Sequence, residues 1–173
     1  MQLSIRNKWI SFKGSSVVQD LEGKDVLKIV GKFWTFTRKK SVCELDGTVK
    51  YVIKNKIISL FGRTAYVFDD KGEKVCTLKR KIFSLRDRYF VESPLGKIEI
   101  NGNIFQFNYK ITLDGKEIGH ISRKVSLRDS FVLDINDEFD YRLFVALVIA
   151  IDNITDRRDQ TGTGFNIGGN IGN

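Results

Sequence analysis

The chain has 173 residues, of which 42% are hydrophobic and 29% charged, and it carries a formal net charge of +8. That length suits one domain with a core of its own. The charge turns the molecule away from cationic partners and towards phospholipid head groups, nucleic acid or acidic proteins, with plain solubility as the alternative.

The stretch from Met1 to Trp9 lacks an apolar core of signal-peptide length. The second residue is Gln2 rather than the glycine that myristoylation requires, and no CaaX box closes the chain. A cytoplasmic protein, at most peripheral at a membrane, is the expectation. Next comes a repeat of about two dozen residues. Lys8-Trp-Ile-Ser-Phe12 recurs as Lys32-Phe-Trp-Thr-Phe36, Lys56-Ile-Ile-Ser-Leu60 and Lys81-Ile-Phe-Ser-Leu85. A weaker copy is Asn103-Ile-Phe-Gln-Phe107, and a shortened one is Lys124-Val-Ser-Leu127. Turn signals separate the copies: Asp20-Leu-Glu-Gly23, Asp46-Gly47, Asp70-Lys-Gly72, Ser93-Pro-Leu-Gly96 and Asp114-Gly115.

Each unit reads as a strand, a turn and a return strand. Three residues before each copy stand Ile5, Ile29, Ile53, Leu78, Ile100 and Ile121. One residue after its start stand Trp9, Phe33, Ile57, Ile82, Ile104 and Val125. The two columns share a parity, so both point to one strand face, and that face is the core face. The position between them is small or polar in Asn7, Gly31, Asn55 and Gly102, with Arg80 and Arg123 as exceptions. The apolar residue two places after each start has the opposite parity, which calls for a bend or bulge just after the lysine. Cys43 and Cys76 lie far apart in alternating apolar runs, so buried free thiols are expected rather than a disulfide or a metal site.

Leu143 to Ile151 is an unbroken apolar run without Gly or Pro. It predicts a helix over about 138–153, with Asn136-Asp137-Glu138 capping and charging its start. A helix apolar on every face must be surrounded. It is too short for a bilayer, which takes about 20 apolar residues, so no transmembrane segment is expected and protein must surround it. Six hairpin units give about twelve antiparallel strands, and a sheet of that size curls and closes. The fold class expected is therefore mainly β, a closed antiparallel barrel wrapped around its own C-terminal helix. It occupies 1–155, followed by a flexible Gly/Asn-rich tail over 156–173.

Little in the chain suggests catalysis, and no enzyme activity or cofactor is expected. His120 is the lone histidine, and GxSxG, HExxH, Walker A and GxGxxG patterns are all absent. The acidic run Asp134 to Asp140 has oxygen ligands for calcium but not the EF-hand spacing, so an acidic helix start is preferred and no metal is assigned. The basic residues are more informative. Lys8, Lys32, Lys56, Lys81 and Lys124 hold equivalent places in successive units and oppose the core parity, so they form a belt at one end of the barrel. Arg80, Arg86, Arg88, Arg123 and Arg128 thicken it. Arginine suits bidentate phosphate contact and lysine point-charge attraction. The alternative is that lysine blunts strand edges and keeps a β-rich protein soluble.

Arg80-Lys-Ile-Phe-Ser-Leu-Arg-Asp-Arg-Tyr89 resembles the repeated motif of the LURP-one-related family. So does Asp129-Ser-Phe-Val-Leu-Asp-Ile135 followed by Ala146-Leu-Val-Ile-Ala-Ile-Asp152. The resemblance covers roughly 1–155. It implies the tubby C-terminal-like fold, a twelve-stranded barrel around a central helix, related to the phosphoinositide-binding tubby proteins and the phospholipid scramblases. It also raises anionic lipid as a ligand, although a shared fold does not transfer function. Three readings follow: a non-enzymatic barrel that binds anionic phospholipid or phosphoinositide head groups through basic loops, a scaffold with an unknown protein partner, and, third, a single-stranded nucleic-acid binder.

Overall fold

The computed structural model describes residues 1–6, 15–31, 39–56, 64–81, 87–103, 108–123 and 130–155. They form β1 (Gln2–Arg6), β2 (Ser15–Gln19), β3 (Asp25–Gly31), β4 (Lys40–Cys43), β5 (Val49–Asn55) and β6 (Thr64–Phe68). There follow β7 (Lys74–Arg80), β8 (Asp87–Ser93), β9 (Gly96–Asn103), β10 (Asn108–Leu113), β11 (Lys116–Arg123), β12 (Ser130–Ile135) and α1 (Tyr141–Thr155). Each strand pairs antiparallel with its chain neighbours, and β1 pairs with β12 through Leu3↔Leu133 and Ile5↔Phe131, so the sheet closes.

Strand alternation sorts the side chains as the sequence pattern requires. Ile5, Ile29, Ile53, Leu78, Ile100 and Ile121, the first predicted column, are all buried inside the barrel. The second column, Trp9 to Val125, lies outside the described residues, as does the bulge expected after each lysine. The register shifts that are described fall near the other strand ends, between Val18 and Gln19, Val42 and Cys43, Val67 and Phe68, and Ile111 and Thr112. They adjoin hairpin turns whose glycines take positive φ, as Gly47 does at 97°. A left-handed residue there lets the chain reverse where a side chain would strain it.

The helix starts three residues later than the sequence suggested, at Tyr141. Asn136 to Phe139 close a turn instead, with Phe139 N–H donating to the Asn136 carbonyl at 3.1 Å. Asp140 is the cap: its Oδ1 accepts from Arg142 N–H at 3.0 Å, and its carbonyl accepts from Leu143 N–H at 3.1 Å. A side chain directly before the first helical residue reaches the free N–H groups, and those of Asn136–Glu138 stand too far back. From Leu143 to Ile151 every helix residue is buried. Each such Val, Leu, Ile or Phe contributes about 1.5–3 kcal/mol against exposure. Cys43 and Cys76 are buried free thiols, and burial pushes Cys76 up to about 11.

Candidate anion-binding site

Because strand direction alternates, the connections after β1, β3, β5, β7, β9 and β11 all leave from one end of the barrel. The hairpin turns gather at the other end, with the start of α1. The two ends differ in charge. At the turn end, carboxylates serve the backbone. Asp20 Oδ1 accepts from Glu22 N–H at 3.0 Å and Lys24 N–H at 2.9 Å, and Asp69 Oδ1 accepts from Lys71 and Glu73 in the same way. Asp46 accepts from Thr48 at 2.8 Å, and that backbone bond holds its carboxyl below the usual range. Tight turns recruit Asp for this purpose. The connecting segments 7–14, 32–39, 56–63, 81–86, 104–107 and 124–129 hold a single carboxylate in their sequence, Asp129.

The described part of the connection end can be built residue by residue. Lys56 follows β5, and its N–H donates to the Thr64 carbonyl at 3.0 Å. Lys81 follows β7, and its N–H donates to the Arg88 carbonyl at 2.9 Å, so Lys81 and Arg88 stand opposite one another. All three are exposed. Two further outward cations were missed in the sequence. Lys79 is exposed and pairs with Glu92 at 2.6 Å. Lys54 stacks over the Phe68 ring at 4.5 Å. Their parity, opposite to Ile53 and Leu78, was the available signal.

Arg80 departs from the expected belt. Its parity is that of Leu78, so it turns inward, and its Nε and Nη2 both donate to Asp87 Oδ1, at 3.1 and 2.5 Å. Tyr89 and Tyr109 pack edge-on beside this pair, with ring centroids 6.1 Å apart. Burial first, then Tyr89 and Asp87, push the Tyr109 hydroxyl far above its ordinary value. A second internal pair joins Lys40 Nζ to Asp152 Oδ2 at 3.2 Å, with side-chain exposures of 11% and 7%. Beside it Asn55 Nδ2 donates to the Asn153 carbonyl at 3.3 Å. Lys40 shares its strand parity with buried Val42, which turns it inward. Lys8, Lys32, Arg86, Lys124 and Arg128 lie outside the described residues. Arg123 ends β11 opposite Phe131, and its side chain is likewise outside them.

The acidic run divides its members among separate tasks. Asp134 accepts from Gln2 Nε2 at 2.7 Å, Asp137 pairs with the Met1 amine, and Asp140 caps α1. Among the described residues no cluster of three or more His, Cys, Asp or Glu side chains is placed to hold a metal ion. No described helix is long and apolar enough to cross a membrane.

A closed twelve-stranded barrel filled by its own helix, with cations at the connection end, defines the class. The chain belongs to the LURP-one-related family, whose model matches residues 1–152. It is similar to the protein YxjI of Bacillus subtilis (strain 168), with 27% identity over 156 residues, covering 89% of this chain and 93% of that one. It also resembles the X-ray structure of a protein from Arabidopsis thaliana, with a TM-score of 0.65 and 16% identity over 89% of this chain and 90% of that one, which supports the fold alone.

Proposed function

We propose that this protein is a non-enzymatic, cytoplasmic barrel module that binds anionic phospholipid through the basic end of its barrel. One observation carries the reading. Lys56, Lys81 and Arg88 are exposed at that end, while its described carboxylates, Asp87 and Asp152, are buried in internal ion pairs. A cation near an anionic leaflet gains about 1 kcal/mol, and the field reaches about one Debye length. The internal charged groups Lys40, Asp152, Arg80 and Asp87 are engaged with one another in ion pairs, which supports a binding role over a catalytic one.

Co-sedimentation with liposomes tests this. The protein is expected to pellet with vesicles containing phosphatidylserine at physiological salt and to stay in solution with neutral phosphatidylcholine. Equal behaviour towards both vesicles, or binding that vanishes between low and physiological salt, overturns the reading.

A further inference from the structure

Resting on that reading, we propose that the barrel docks end-on to the bilayer and reads surface charge, with several head groups engaged at once, rather than gripping one head group in a pocket. The interior cations argue first. A pocket for one phosphorylated head group needs cations that converge on it. The described cations that point into the barrel mouth, Lys40 and Arg80, already have carboxylates, Asp152 at 3.2 Å and Asp87 at 2.5 Å. Arg80, whose fork is the best match for a phosphate, is engaged by Asp87 through two of its nitrogens. Among the described residues, the cations that face the mouth are therefore paired with carboxylates, and the exposed ones lie outside it.

The exposed cations argue next. Lys56 follows β5, while Lys81 and Arg88 sit where β7 gives way to β8. Neighbouring strands are about 4.8 Å apart, so these two groups are separated by roughly 10 Å around the rim. That is about one Debye length, so each acts on its own part of a charged surface. A plane touches the end of a barrel at many strand ends but its convex wall along one line, so end-on contact engages the most rim cations. The opposite end settles the direction. Its turns are lined with exposed carboxylates, including Glu22, Asp46 and Asp70, which an anionic leaflet repels. The helix accordingly points its Asp152–Thr155 end at the membrane.

Two matched triple variants test the orientation. Lys56→Gln/Lys81→Gln/Arg88→Gln removes rim charge, and Lys24→Gln/Lys71→Gln/Lys116→Gln removes the same charge from exposed turn positions. The rim triple is expected to weaken binding to phosphatidylserine vesicles on the order of 100-fold, and the turn triple by less than about threefold. All six side chains are exposed, so both variants should fold, and circular dichroism checks it. For the intact protein, phosphatidylserine and phosphatidylinositol bisphosphate vesicles matched in surface charge should bind within about twofold. Soluble inositol trisphosphate should not displace it at physiological salt. Equal losses from both triples overturn the end-on geometry. Displacement by stoichiometric inositol trisphosphate overturns charge reading in favour of a pocket and leaves the lipid reading standing. Absence of vesicle binding by the intact protein removes the lipid reading itself.

Discussion

The two ends of the barrel hold the same helix by different physics. At the turn end Arg142 pairs with Glu44 at 2.6 Å with side chains 32% and 24% exposed, and Tyr51 donates to Asp140 at 2.8 Å. At the connection end Lys40 and Asp152 pair inside the barrel. The same β4–β5 hairpin supplies Glu44, Tyr51, Lys40 and Asn55, so it carries both kinds of contact. Water screens the first pair, whereas the second is shielded from it. The difference teaches that a carboxylate's neighbourhood decides its worth, since Asp serves turns at one end and balances buried cations at the other.

The sharpest way to break the comparison is to remove one acid from each end. Asp152→Ala leaves Lys40 charged and unpaired indoors and should cost about 3–5 kcal/mol in urea unfolding. Glu44→Ala should cost about 1 kcal/mol or less, because its pair is partly in water. Equal costs would mean that burial does not distinguish the two ends. Lys40→Met/Asp152→Leu should recover most of the loss, since an apolar pair of similar size needs no counter-charge.

Glycines give a second contrast. On β9, near the connection end, a Cβ at Gly102 would stand 2.1 Å from the Asn108 carbonyl oxygen and 2.5 Å from the Tyr109 ring. Gly102→Ala should therefore cost about 1–3 kcal/mol by displacing Tyr109. At the turn end a Cβ on Gly47 meets nothing, so Gly47→Ala should cost only the left-handed strain of about 1–2 kcal/mol. Near-ultraviolet circular dichroism should register the first change through its tyrosines and not the second.

A pH dependence, confined to alkaline solution, gives a further test. Burial raises the Cys76 thiol from its ordinary 9.0 to about 11. The folded state holds that proton more tightly than the unfolded chain does. The stabilisation is thus whole below pH 9 and drains away as pH rises through about 11. Cys76→Ala should flatten the fall in unfolding free energy across that window. Tyr109→Phe should flatten only the part above about pH 10, where an unfolded tyrosine ionises. An unchanged slope in Cys76→Ala would show that the thiol is not the group responsible.

Much of the barrel could be read from periodicity. The column Ile5, Ile29, Ile53, Leu78, Ile100 and Ile121 was legible because strand parity is fixed by local geometry, and α1 because nine consecutive apolar residues leave no wet face. The helix start was not, because Asn136, Asp137, Glu138 and Asp140 are all plausible caps and only the backbone path selects Asp140. Arg80 and Lys40 show a further limit. Parity placed Arg80 indoors, but composition argued for the surface, and the partners that make burial tolerable lie at Asp87 and at Asp152, which is 112 residues from Lys40. Pairing across such a span leaves no local mark. Of the residues expected in the basic belt, Lys56, Lys81 and Arg88 are exposed and Arg80 is internal, and the ion pair that holds Arg80 could be seen only in the folded barrel.

Closure between β1 and β12 has a consequence for how the chain folds. The helix follows the last strand, begins at the turn end and ends at the other. Were the sheet to seal first, residues 156–173, with Asp156 and Arg157 at their head, would have to thread a finished cylinder lined with Ile and Leu. Desolvating those charges on the way makes that route prohibitive. The strands must therefore wrap around a helix already in place, and the barrel closes after it; the β1–β12 pairing joins residues more than a hundred positions apart. Such non-local pairing is expected to slow folding, which stopped-flow refolding would measure. Amide exchange within the helix should proceed no faster than opening of the whole barrel.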